Sequence, residues 1–189
     1  GLRTPLDGRI ELNGRALSSL DRRALGRSIA YLPQDRTVHW PLQARAVVAL
    51  GRLPHGAGPG AHMSDADSAK IGEALAATDT TALADRPVSE LSGGERARIL
   101  IARALAQDAD LLIADEPAAG LDPAHALTLF ETFRRIAGGG RSVIVALHDL
   151  SLALRYCPNA ILLKDGAVAA SGPVRDVLTE ENIARVYGV

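Results

Sequence analysis

From Leu91 onward, short apolar runs alternate with helical patterns, and no feature of the chain restricts its fold more than this alternation. The order reads helix, strand 111–114, helix about 123–137, a Gly-Gly-Gly break at 138–140, strand "SVIVAL" 142–147, helix about 150–156 and strand "AILLKDG" 160–166. Strands separated by helices predict a mainly parallel α/β sheet. The run "LLIA" at 111–114 reads as a buried strand of that sheet. Upstream, "GRIELNG" (8–14) is an alternating strand closed by an Asn-Gly turn, and "SIAYLPQ" (28–34) is a strand stopped at Pro33. A helical-looking region from about 42 to 85 is broken by "GRLPHGAGPGAH" (51–62), whose Pro and Gly predict a flexible surface loop. The tail "DVLTEENIARVYGV" predicts a last helix entered through Thr179.

Length and composition narrow the function classes. The 189 residues suffice for one domain with an insertion and a substantial core. A net charge of −1 gives no electrostatic footprint for nucleic acid or an anionic membrane. No apolar run of about 18 residues is present to span a bilayer. The single cysteine, Cys157, excludes an internal disulfide framework.

Several short motifs carry chemistry. Asp115 and Glu116 end the strand of "LLIADEP" as two adjacent anions, which repel unless a cation or proton shares their site. Such a pair can serve structure alone. It can also place one carboxylate on Mg²⁺ and the next on an attacking water. "LSGGERARILIARAL" (91–105) predicts a capping box of Ser92 and Glu95, then a helix burying Ala97, Leu100, Ile101, Ala104 and Leu105 on one face. Gly93 and Gly94 would occupy its first positions, where Gly costs about 1 kcal/mol against Ala. Bare amides at a helix start form a site that a phosphate can approach closely. Asp122 reads as an N-cap before Pro123, and Asp149 as a cap after His148.

Together, "YLPQ" ending at Gln34, "LSGGE" (91–95), "LLIADEP" (111–117), "GLD" (120–122) and "ALHD" (146–149) resemble the nucleotide-binding subunit of an ABC transporter. In order, they match its Q-loop, signature, Walker B with its glutamate, D-loop and switch histidine. Glu95 stands where many members have Gln. "VVALGRLPH" (47–55) and the C-terminal tail are similar to ATPases of metal-chelate importers for ferric siderophore, haem or cobalamin. The resemblance implies a P-loop NTPase-like fold, with a helical insertion at about 35–90 facing the permease and an antiparallel β subdomain. It implies ATP and Mg²⁺ as cofactors, with Asp115 and Gln34 at the metal. Glu116 would polarise the water and His148 would contact the γ-phosphate. Gln34, Leu91, Ser92, Gly93, Gly94, Glu95 and Asp122 would serve the nucleotide, the signature residues across a head-to-tail, ATP-dependent homodimer. Implied partners are transmembrane permease subunits and, indirectly, a periplasmic or extracellular substrate-binding protein, at the cytoplasmic face of the membrane.

One family element is missing from the 189 residues. The phosphate loop GxxxxGK[ST] needs a lysine, and the two present, Lys70 in "DADSAK" and Lys164 in "AILLKDG", have neither its glycine nor its Ser/Thr. The chain thus reads as N-terminally truncated within the family. The strand before that loop would lie inside the sheet near 111–114 and 142–147, so two internal strands are expected to face each other across a gap. An alternative reading is a nucleotide-incompetent remnant that at most binds a partner. A DNA-repair or chromosome-organising ATPase shares the signature and Walker B glutamate but needs long coiled coils, and no heptads are present.

Overall fold

The computed structural model describes residues 5–34, 42–57 and 63–188. At its centre β3 (Ile29–Leu32), β4 (Leu111–Asp115) and β5 (Ser142–Ala146) form a parallel sheet in the order β3-β4-β5. The register pairs Leu32 with Ala114, Leu111 with Ser142 and Asp115 with Ala146. The expected gap between 111–114 and 142–147 is therefore absent: these two strands are hydrogen-bonded to each other along their full length.

One face of the sheet carries the core. Ala30, Leu32, Leu112 and Ala114 are buried there, with Val143 and Val145 packed against them. On the other face Tyr31 is 46% and Ile144 57% exposed. Parallel sheets are ordinarily covered on both faces. The reading of "LLIA" as a buried strand is thus half right, with Leu112 and Ala114 buried and Leu111 and Ile113 only partly so.

Helix α4 (Gly93–Ala106) lies between that core face and the helices α2 (Ala44–Ala49) and α3 (Asp65–Ala77). Contact on both sides explains why it buries Ile99, Ala102 and Ala106 beyond the single face that its sequence periodicity predicts. Helix α5 (Pro123–Gly138) covers the β5 side with Ala126, Leu129, Phe130 and Phe133, spaced i, i+3, i+4, i+7. Phe130 meets Phe133 edge-on at 5.7 Å and Tyr156 of α6 (Leu150–Tyr156) at 5.3 Å.

The segment Leu50–His55, expected as loop, is a 3-10 helix packed on α4. A Cβ on Gly51 would stand 2.3 Å from the Arg103 carbonyl, so only glycine admits this approach. Its neighbour Arg52 is buried, pairs with buried Asp67 at 2.8 Å and donates to the Ala106 carbonyl at 2.8 Å. The rest of the expected loop at 58–62, and the start of the expected insertion at 35–41, lie outside the described residues.

Two antiparallel hairpins complete the described chain. β1 (Glu11–Leu12) and β2 (Arg15–Ala16) turn through Asn13 and Gly14, as the Asn-Gly signal predicts. β6 (Asn159–Lys164) and β7 (Ala167–Pro173) pair beside α7 (Val174–Val177) and α8 (Glu180–Tyr187), the last capped by Thr179. Strand β7 and the helix α1 (Arg22–Ser28) were not legible in the sequence pattern. Among the described residues no helix is long and apolar enough to cross a membrane.

Candidate active site

Because β3, β4 and β5 run in one direction, the residues that follow them gather at one end of the sheet. Gln34 is exposed beyond β3, Asp115 ends β4, and Glu116 and His148 follow β4 and β5. The Glu116 amide donates to the Ala146 carbonyl at 3.0 Å, extending the ladder by one residue and fixing Glu116 against the end of β5. There Glu116 takes a left-handed backbone with φ of 46°. For a residue with a Cβ that conformation costs about 1–2 kcal/mol.

The Glu116 carboxylate lies 2.9 Å from Nδ1 of His148. Its side chain is sheltered at 13% exposure, whereas that of His148 is open at 79%. One end of the pair is thus withdrawn from water while the other faces outward. Among the described residues no three His, Cys, Asp or Glu side chains cluster to hold a metal by themselves. A single carboxylate such as Asp115 instead fits Mg²⁺, which takes one or two carboxylates and completes its shell with water and phosphate oxygens.

The start of α4 adds a second set of groups. Ser92 and Glu95 form the predicted capping box: the Glu95 amide donates to Ser92 Oγ at 3.3 Å, and the Ser92 amide to Glu95 Oε2 at 2.8 Å. The latter bond holds the Glu95 carboxyl below the usual glutamate range. Leu91 is buried and anchors the turn. A Cβ built on Gly93 meets nothing within 4 Å, and on Gly94 the nearest atom is the Gly120 carbonyl at 3.7 Å. The helix start therefore has room on both glycines, and a side chain on Gly94 would reach the "GLD" turn of the same chain. Asp122 caps α5 by accepting from the amides of Ala124 at 3.0 Å and His125 at 3.1 Å. It also bonds the His125 ring, which is the first cause of its lowered pKa. His125 was not legible as a site neighbour. Its spacing three residues after the cap was the available signal.

Both lysines have other partners. Lys70 in α3 pairs with Asp108 and Glu73, and Lys164 ends β6 and donates to the Arg185 carbonyl.

A family model described as ABC transporter matches residues 1–119. The chain belongs to that family. Among its relatives, a hemin import ATP-binding protein HmuV of Rhodococcus jostii is 43% identical over 96% of this chain and 61% of its own length. A cobalamin import ATP-binding protein BtuD of Halobacterium salinarum is 42% identical over 99% of this chain and 46% of its own length. The ABC chain thus spans about half to three fifths of the length of these relatives. A putative metal-chelate type ABC transporter, solved in an inward-facing conformation, superposes with a TM-score of 0.76 at 28% identity, covering 86% of this chain and 64% of that one. The P-loop NTPase-like α/β fold expected of the family is the fold observed.

Proposed function

We propose that this ABC chain is the ATP-hydrolysing part of an importer of metal chelates such as ferric siderophore, haem or cobalamin. The contact between Glu116 and His148 beside Asp115 carries the catalytic half of this reading. The hemin and cobalamin import relatives and the metal-chelate type structure support the transport half.

In this reading Asp115 and Gln34 would hold Mg²⁺, which would supply charge neutralisation of the phosphates. Glu116 orients the attacking water and takes its proton, a role suited to a carboxylate sheltered from bulk solvent. His148 both positions Glu116 through Nδ1 and presents Nε2 to the γ-phosphate. The open amides of Gly93 and Gly94, with Leu91, Ser92 and Glu95 around them, receive the phosphates of ATP held by a second subunit in a head-to-tail dimer. Asp122 shapes the facing loop at that interface. The helices between about 35 and 90 form an insertion within one ATPase domain and dock on the permease at the cytoplasmic face of the membrane. A substrate-binding protein acts only through that permease.

The test is steady-state hydrolysis by the full-length protein with its permease. Glu116→Gln keeps the side chain's shape but accepts no proton, so the rate should fall by about 10²–10⁴ while ATP binding persists. His148→Ala should lower it likewise. Hydrolysis by Glu116→Gln at the parent rate would refute the assignment.

A further inference from the structure

At the end of the sheet opposite Asp115 and Glu116, the chain forms a cavity of 230 Å³ between α3, α4 and α5. Its floor is apolar and built of small groups: Ala30 and Leu112 of the sheet, Ala74 and Ala77 of α3, Ala104 of α4 and Ile136 of α5. Its rim is charged. Lys70 and Glu73 come from α3, Asp108 from the turn after α4, Arg135 from the end of α5 and Arg141 from just before β5.

The charges do not cancel. Asp108 accepts from Arg141 at 2.6 Å and pairs with Lys70 at 3.2 Å, and Lys70 also reaches Glu73 at 3.3 Å. These two cations and two carboxylates neutralise one another. Lys70 is held above its ordinary pKa, chiefly by its bond to Asp108, and so keeps its charge. Arg135 remains as the excess cation, exposed and, among the described residues, in no ion pair.

We propose that this cavity binds a small organic carboxylate, with its head on the guanidinium of Arg135, beside Arg141, and its apolar body on the alanine-rich floor. A planar guanidinium matches a carboxylate with two parallel hydrogen bonds. Pockets for drug-sized ligands run from about 300 to 1,000 Å³, so the occupant is smaller, of the size of one ring or a branched aliphatic acid. The site is separate from the catalytic end, because β4 separates the two by about 13 Å at about 3.3 Å per residue. It is lined by α3 on one side and by α5 and the sheet on the other, so an occupant would tie α3 to the sheet.

Benzoate serves as the probe, followed by backbone amide NMR of the full-length protein, with inorganic phosphate at matched ionic strength as the control. Benzoate should shift the amides of Ala74, Ala104 and Ile136 in a saturable way and leave those of Ala119 and Gly120 in place, while phosphate should leave all of them in place. Arg135→Glu replaces attraction by repulsion at an exposed side chain and should weaken benzoate about tenfold. The proposal is overturned if those three amides do not move, if phosphate moves them equally, or if Arg135→Glu binds benzoate as the parent does.

Discussion

The carboxylate of Glu95 accepts the Ser92 amide at 2.8 Å, and that bond lowers its pKa in the folded chain. A depressed folded pKa means that the folded state binds fewer protons than the unfolded state in the acidic range. Its contribution is complete above the ordinary glutamate value and is lost as pH falls through the lower, folded one. Glu95→Gln keeps an acceptor for the amide and removes the titration. The variant and the parent should therefore converge as pH falls below the glutamate range, with the parent losing melting temperature faster. Asp21, Asp67 and Asp122 are lowered too, so both proteins lose stability in acid, and the difference between them isolates Glu95. Thermal melts across a pH series check this, and parallel curves for the two proteins would contradict it.

Among the elements, the 3-10 helix Leu50–His55 joins α3 to α4 through one buried ion pair. Ser64 and then Arg52 hydrogen-bond the Asp67 carboxylate and lower its pKa. Removing one member of such a pair leaves the other charge buried without compensation and costs about 3–5 kcal/mol. Arg52→Met should show that loss in urea unfolding, and Arg52→Met with Asp67→Leu should recover much of it. A double variant as unstable as the sum of the singles would show that the two charges are uncoupled. This element was not legible in the sequence, because its glycine and proline carry local turn signals while its burial depends on α4, far along the chain. Helix α4 itself was legible, since its capping box and its 3.6-residue period are local. Its second buried side was not, because α2 and α3 supply it. The three strands of the parallel sheet were legible in extent. Their one-sided cover was not, because apolar content does not say which face a helix will take.

For the whole molecule, the motifs placed Gln34, Asp115, Glu116 and His148 at or just after the ends of three strands, and the parallel order of those strands brings these ends to one side. The pairing of Glu116 with His148 across two strand ends required the fold. The same fold leaves apolar surface open: Ile144 is 57%, Ile161 66% and Leu163 63% exposed. Among the described residues β5 also has no partner on its outer edge. Open strand edges beside apolar side chains recruit further strands. Residues 1–189 on their own should therefore elute from size-exclusion chromatography as associated species at micromolar concentration. Ile144→Lys with Ile161→Lys should shift them toward monomer. A monodisperse monomer of the parent sequence would overturn this.

Glu116 holds a backbone conformation that glycine adopts without penalty. The residue that the proposed chemistry asks for at this position is thus not the one that the chain geometry favours. Selection on heat tolerance alone would relieve that strain with glycine here, and with it remove both the His148 contact and the carboxylate proposed to orient the water. A variant library for this chain has to be scored on ATP turnover as well as on melting, or it will discard the side chain proposed to activate the water.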